Sequence, residues 1–231
     1  MASARKPIIL VKGGRTPRGA RAALSHTASL ASNHQTFKAA LKQTGIIEVN
    51  GFYDLMDTIR AFAFQPLPKG KSIAILTNTG AYGIIAVDCC INIGLEIANF
   101  KPKTTARLLE LMESDSKVYN PVDTYPAVVK HGRAKIYQTS LDAMLEDEGV
   151  DAAVVITFTT GDMTPDSIIT PASRHPEKPV LVCVFGSSKE GFQNTLNAAQ
   201  IPAYTFAEPA ILALSRMYQY ASYKKSLENP G

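Results

Sequence analysis

The feature that most constrains this chain is an alternation. From residue 72 onward the short apolar runs "SIAILTN", "LEIANF", "AAVVITF", "PVLVCVFG" and "AYTF" are separated by segments whose apolar residues recur at helical spacing. These are "IIAVDCCINI", a helix near "TTARLLELM", and helices over about 133–147, 166–174, 190–199 and 209–225. Strands that are apolar on both sides need cover on both faces, and a helix between each pair of strands supplies it. The expected architecture is therefore a parallel, doubly wound α/β sheet. The composition, 45% hydrophobic and 19% charged, is that of an ordinary globular protein.

Residues 67–231 supply a complete sheet of the flavodoxin-like type, whereas residues 1–66 supply only part of one. In that first segment "PIILV" (7–11) and "IIEV" read as strands, a helix is expected from Thr27 to Gln43 with Gly45 as its C-cap glycine, and "FYDLMDTIRAFA" (52–63) reads as an amphipathic helix with Phe52, Leu55, Met56, Ile59 and Phe62 on one face. Two strands cannot bury two faces, so the rest of such a sheet must come from another chain, a symmetry mate or another part of the gene. The stretch "QPLPKGK" (65–71), with two prolines and a glycine, is the linker candidate. A weak repeat relates the two parts: strand, small-residue turn and helix occur at "IILVKGG…SHTAS" and again at "IAILTNTGAYG".

Several classes of function are excluded. The net charge of +4 comes without a long basic run interleaved with aromatics, so no nucleic-acid partner is expected. Cys89, Cys90 and Cys183 are too few and too poorly spaced for a disulfide framework or a zinc site, which points to reduced thiols and a cytoplasmic location. The start "MASARKP" has no signal-peptide core, and no stretch approaches the roughly 20 apolar residues of a membrane span.

Chemistry is concentrated where small residues meet helix starts. A helix N-terminus presents unpaired N–H groups and the positive end of its dipole, a ready receptor for phosphate. Ser25, His26, Thr27, Ala28 and Ser29 are small enough to let an anion reach such amides, and Lys12, Arg15, Arg18 and Arg21 stand just upstream. The residues alone leave two readings of His26, a phosphate-accepting nucleophile or a capping or exposed histidine. His34 reads as part of a solvated helix face, and "EDEG" (146–149) as an exposed helix end. The turn "TNTGAYG" (77–83) follows a strand, where Thr79, Gly80, Ala81 and Gly83 would let backbone approach a phosphate, although a tight reversal alone would also explain it. In "NPVD" the polar Asn120 and Asp123 flank a proline, giving either a ligand-facing loop or an Asx turn.

These blocks carry a resemblance. "KPIILVKGGRTPRGARAALSHTASLASNHQTFKAALKQTGIIEVNGFYDLMD" resembles the histidine-bearing segment of the nucleoside-diphosphate-forming acyl-CoA synthetases, the superfamily of succinyl-CoA synthetase and ADP-forming acetyl-CoA synthetase. "GKSIAILTNTGAYGIIAVDCC", "YNPVD" and "IPAYTFAEPAILAL" are similar to successive blocks of the domain that follows it. The resemblance implies that acid, CoA and ATP become acyl-CoA, ADP and phosphate by way of an acyl phosphate and a phosphohistidine at His26, with Mg accompanying the nucleotide. It places the phosphoryl group between two helix starts, one after Ser25-His26 and one at Gly80–Gly83, with Asn120 and Asp123 in support, and it implies no metal ligands in this chain. Ala28 and Ser32 stand where the family has glycines, and "GAYG" replaces "GGPG", so that Tyr82 stands to crowd the second helix start.

The family's CoA-binding Rossmann domain, the front half of its histidine domain and its ATP-grasp domains have no counterpart here. The chain is expected to be an acid-CoA ligase subunit or fragment, inactive alone and completed by those parts on other chains or elsewhere in the gene, with a homo-oligomer as a further option. The alternative is a non-catalytic assembly or regulatory module derived from the family. A flavodoxin-like FMN binder ranks below both, because "TNTGAYG" lacks a hydroxyl-rich phosphate loop; no FMN is expected.

Overall fold

The computed structural model describes residues 5–27, 34–112 and 118–228, with the side chains of His26, Thr27 and Pro126 left out. Its first part runs β1 (Ile9–Val11), α1 (Pro17–Thr27), α2 (His34–Thr44), β2 (Ile47–Val49) and α3 (Phe52–Phe64). After residue 71 follow β3 (Ser72–Thr77), α4 (Gly80–Asn92), β4 (Glu96–Ile97), α5 (Pro102–Met112), β5 (Val122–Asp123), α6 (Tyr125–His131) and α7 (Arg133–Glu146). The chain continues through β6 (Ala152–Phe158), α8 (Asp166–Arg174), β7 (Val180–Phe185), α9 (Lys189–Ala198), β8 (Ala203–Tyr204) and α10 (Ala207–Glu228).

β1 and β2 form a two-stranded parallel sheet, and the other six strands form a second parallel sheet in the order β4-β3-β6-β7-β8, with β5 also on β3. This is the doubly wound α/β architecture of flavodoxin-like type. Its strands alternate between two buried faces: Ala74 and Leu76 of β3 join Leu108, Tyr137, Leu141 and Ile168 under α5, α7 and α8, while Ile73 and Ile75 join Ala86, Ile211, Leu214 and Met217 under α4 and α10. Both faces are apolar, so neither shows in the sequence as a polar alternation.

β4 and β5 share one edge of β3. Ser72 and Ile73 pair with β4, Leu76 and Thr77 pair with β5, and the opposite edge of β3 runs along β6. The chain changes direction in the sheet at this point, so the C-terminal ends of β3 and β6 flank a topological switch point, where doubly wound sheets open a crevice.

Three expectations are corrected. The helix expected to begin at Thr27 is preceded by α1, which starts at Pro17 because Thr16 caps it, its Oγ1 accepting from Gly19 N at 3.1 Å, with proline in the first helical position. The apolar stripe of α3 does not face inward as a whole. α3 docks through Leu55, Thr58, Ala61 and Phe62, and leaves Phe52 (79%), Met56 (58%) and Ile59 (40%) exposed. Asp147, within the run read as an exposed helix end, is buried and accepts from Lys101 N at 2.7 Å and Gly149 N at 2.8 Å.

α3 lies against α10, and polar bonds secure the contact. The Arg216 guanidinium, nearly buried on α10, grips both carboxylate oxygens of Asp54 and donates to Thr58 Oγ1 at 2.8 Å. Arg60 donates to Ala203 O at 2.8 Å, and the Tyr204 hydroxyl donates to Asp57 O at 3.1 Å. The 65–71 stretch is fastened as well: Gln65 accepts from Val180 N at 2.7 Å and donates to Gln200 O at 2.6 Å. Among the described residues, no helix is long and apolar enough to cross a membrane.

Burial opposes ionisation of Asp54, but hydrogen bonds from Arg216 and Asn50 N hold its carboxyl below the ordinary value. Asp147 behaves alike, with burial outweighed by bonds from Thr104 and the Lys101 and Gly149 amides. What these two groups contribute is complete above about pH 4 and is lost as pH falls through their lowered folded values. The midpoint of thermal unfolding should therefore drop on acidification below pH 4, and drop less in Asp54→Asn. At pH 7 Arg216→Met strands the Asp54 charge and costs about 3 kcal/mol, read as a fall in that midpoint of roughly 6–12 °C.

Candidate functional site at the C-terminal edge of the sheet

β3 ends at Thr77, and α4 begins at Gly80, with only Asn78 and Thr79 between them. The Thr77 hydroxyl builds the turn, accepting from Thr79 N at 3.1 Å and donating to Thr79 O at 3.2 Å. Thr79 is the N-cap, extended at φ −147°, ψ 106°, and makes no side-chain cap bond. The amides of Gly80, Ala81 and Tyr82 in the first turn thus have no side-chain cap, and the positive end of the helix dipole opens at the sheet edge.

The two glycines of the turn differ in purpose. A β-carbon on Gly83 would lie 3.1 Å from both Pro121 Cγ and Thr77 Cγ2, so glycine lets α4 press onto β3 and β5, and Gly83 N closes the first turn on Thr79 O at 3.2 Å. At Gly80 the single atom within 4 Å of a β-carbon would be Asp123 Oδ2, at 3.2 Å. The other Asp123 oxygen accepts from Tyr125 N at 3.0 Å. Tyr82 does not crowd this helix start: its ring leans on Phe185 and Phe158, with centroids 4.6 and 6.2 Å away.

Asn120 supports the site from within the sheet. Its Oδ1 accepts from Ile75 N at 2.9 Å, while its Nδ2 donates to Ile73 O at 2.8 Å and Ala98 O at 3.0 Å. A residue of a neighbouring parallel strand opposite Ala74 would bond the same N–H and C=O. The side-chain amide therefore fills the gap between β4 and β5, and leaves no donor for a ligand. Just beyond it, Asn120-Pro121 is a cis peptide, and Thr124 bonds Thr77 O through both its N (2.8 Å) and its Oγ1 (3.0 Å).

On the other side of β3, the buried Tyr137 hydroxyl of α7 reaches Ile156 O at 2.7 Å and Asn78 Oδ1 at 3.0 Å. Burial pushes the Tyr137 hydroxyl far above its usual range, so it stays protonated. Asp162 caps α7, accepting from Arg133 N at 2.8 Å and Ala134 N at 3.3 Å. Those N–H groups, Arg133 first, hold its carboxyl below the ordinary value. The Arg133 guanidinium reaches over the end of β6 to Thr160 O (2.9 Å) and Thr160 Oγ1. Arg133 Nε and Thr159 Oγ1 are buried without a partner. The contacts of Asn78, Arg133 and Tyr137 at this end of the sheet were not legible in the sequence. An asparagine directly after a strand, in "TNTG", is the one local signal that pointed to any of them.

The first predicted phosphate segment is only partly described. The expected helix start at Ser25-His26 is corrected: Ser25, His26 and Thr27 are the last three residues of α1, the end that presents carbonyls and the negative end of the dipole, and the Ser25 hydroxyl donates to Ala22 O at 2.7 Å; Ala28, Ser29 and Ser32 lie outside the described residues. Of the upstream cations, Arg15 is bound to Asn50 Oδ1 (2.8 Å), Val49 O and Glu48 (3.1 Å), and Lys12 lies 4.6 Å over the Phe37 ring. His34 is not on a freely solvated face: it is half-buried, with Nε2 2.9 Å from the same Glu48 oxygen. Arg18 and Arg21 are exposed on α1. No three His, Cys, Asp or Glu side chains among the described residues come together as a metal site.

Residues 1–62 match the family described as succinyl-CoA ligase like flavodoxin domain. The chain is 36% identical over 225 residues to acetate-CoA ligase (ADP-forming) II of Archaeoglobus fulgidus, covering 95% of this chain and 33% of that one. It is 34% identical to the alpha subunit of acetate-CoA ligase (ADP-forming) II of Pyrococcus furiosus, covering 94% of this chain and 48% of the subunit. The fold superposes on a solved dinucleotide-forming acetyl-coenzyme A synthetase 1 of Ca. Korarchaeum cryptofilum, in complex with phosphate and ADP, with TM-score 0.86 and 29% identity. The chain is similar over nearly all of its length to members of the nucleoside-diphosphate-forming acyl-CoA synthetases. It spans a third to a half of the length of these members of the family, and 50% of the solved chain against 99% of its own length.

Asn120→Asp tests the strand-mimic role. A carboxylate still accepts from Ile75 N but cannot donate to Ile73 O or Ala98 O; Ile73 O keeps its bond from Ala98 N at 2.9 Å, so the variant should lose about 2 kcal/mol, chiefly through the Ala98 carbonyl deprived of its donor. Chemical denaturation checks the loss. Stability equal to the native chain would show that β3 does not need this amide.

Proposed function

We propose that this chain is the phosphohistidine-carrying component of an ADP-forming acyl-CoA synthetase. What supports the reading most is the coincidence of two features: the segment "SHTASLAS" around His26, and similarity over 94% of this chain to 48% of the alpha subunit of an ADP-forming acetate-CoA ligase. In the reaction proposed, the His26 imidazole attacks the terminal phosphorus of ATP and ADP leaves. The phosphoryl group passes to the acid as an acyl phosphate, and the CoA thiolate attacks the acyl carbon and releases phosphate. Mg with the nucleotide offsets phosphate charge in the nucleotide-binding part.

This chain's own contribution is electrostatic. The Gly80–Tyr82 amides and the dipole of α4 would hold the phosphoryl charge without bonding it covalently, with Thr79 and Gly83 shaping the turn. Asp123 supplies an acceptor beside Gly80, suited to the second imidazole N–H of a phosphohistidine. Ser25, Thr27 and Ala28 are proposed to bound the phosphoryl group on the histidine's own segment. The CoA-binding Rossmann and ATP-grasp nucleotide domains would be supplied outside residues 1–231, in the cytoplasm.

Incubation with γ-labelled ATP, Mg and the complementary CoA- and nucleotide-binding parts should place an acid-labile, base-stable label on this chain. His26→Ala should abolish it while leaving circular dichroism unchanged. A full complement of parts that yields acyl-CoA with no label on this chain would reject the proposal in favour of a non-catalytic module.

A further inference from the structure

We propose that the outer edge of β2 is a docking slot for an extended segment of another polypeptide, one whose side chains alternate between apolar and acidic. The proposal goes beyond the phosphohistidine reading and stands without it.

Strand alternation decides which backbone groups of β2 are engaged. Ile47 pairs with Ile9 and its N donates to Ile8 O at 2.9 Å, so the N–H and C=O of Ile47 and of Val49 point at β1. Those of Ile46 and Glu48 point away from it. Ile46 N donates to Leu41 O at 3.1 Å, but Ile46 O, Glu48 N and Glu48 O have no partner among the described residues. A carbonyl and the amide two residues later are the pair that Asn120 serves on β3, at Ile73 O and Ile75 N. On β2 no described side chain does this, and one residue of an added strand would.

A cavity of about 710 Å³ opens along this edge, with α2 as one wall and α10 as the other. The walls meet at the turn from α2 into β2, where a β-carbon on Gly45 (φ 68°) would collide with the Tyr223 ring. The recess selects its occupant. In a second copy of this chain β2 lies between its own α2 and α10, which would strike these walls before the two strands could pair. A single extended segment passes between them.

The walls also differ in chemistry. α10 lines its side with the half-buried rings of Tyr218 and Tyr223, whereas α2 brings the exposed Lys38 and Lys42, one turn apart, to the other. Glu48, the one carboxylate among the described lining residues, is already held by Arg15 at 3.1 Å and His34 at 2.9 Å. The lysine charge thus has no answer within the slot. Successive side chains of a strand point to opposite sides, so a bound segment sets apolar residues against the tyrosines and acidic ones against the lysines.

The probe is the peptide acetyl-Val-Glu-Val-Glu-Val-amide, added to the isotopically labelled chain and followed by NMR. A saturable shift of the Glu48 amide is expected, with hydrogen exchange at that amide slowed at least tenfold. Neighbouring residues of a strand turn their amides to opposite edges. Of two N-methylated peptides, one modified at the valines and one at the glutamates, one should therefore lose binding at least tenfold while the other binds like the parent. Lysine in place of both glutamates should weaken binding at least tenfold, and Lys38→Glu combined with Lys42→Glu should reverse that preference; both positions are exposed on α2, so the variant keeps the fold. No saturable response at Glu48, equal binding of the acidic and basic peptides, or equal binding of the two methylated peptides would overturn the proposal. Protection of the Glu48 amide in the chain alone, growing with its concentration, would overturn it in favour of self-association.

Discussion

One side-chain amide holds the central strand's edge together. β3 has a continuous neighbour on one side in β6, but on the other it has only two-residue strands, β4 and β5, with a gap between them. Asn120 closes the gap by presenting a carbonyl to Ile75 N and an NH2 to Ile73 O, the bonds a neighbouring peptide would make. Without it a buried strand would carry an unpaired donor, Ile75 N, in its middle, while Ile73 O would keep only its bond from Ala98 N. The same residue leads into Pro121, against which Gly83 lets α4 pack, so the amide and the helix start share one support.

That support explains why the polar chemistry gathers where it does. The end of β3 is fixed on one edge by Thr124 and on the other by Tyr137, and α4 springs from it with no side-chain cap on its first turn. At the start of α7, by contrast, Asp162 takes the leading amides. The sheet thus offers an open positive helix end at its switch point, the place where the topology leaves room for a ligand. The solved synthetase on which the fold superposes was obtained in complex with phosphate and ADP, and this edge is the part of the present chain whose physics would suit an anion.

Much of the fold was legible in the sequence because long apolar strands such as "AAVVITF" and "VLVCVF", with helical periods between them, leave few other architectures. α1, which the sequence reading did not contain, has a local signal in the Thr16-Pro17 pair. The exposure of Phe52, Met56 and Ile59 had none, since periodicity finds an apolar stripe but not what covers it. Gly80, Gly83, Asn120 and Asp123 were found from motif blocks, yet their separate tasks emerged only in space. Asn120 acts as backbone, Gly83 as clearance, and Asp123 as the neighbour of Gly80. Asn78 and Tyr137 are joined across 59 positions, a pairing no window of sequence displays.

The fastening of Gln65 to Val180 and Gln200 bears on how such a protein could move. A stretch rich in proline and glycine suggests a swivel between two bodies, but here both ends of its first side chain are moored to the larger sheet, and α3 is locked to α10 by Arg216. The chain is built as a single chassis. For the two parts to swing apart, the Gln65 bonds and the Arg216–Asp54 pair would all have to be given up.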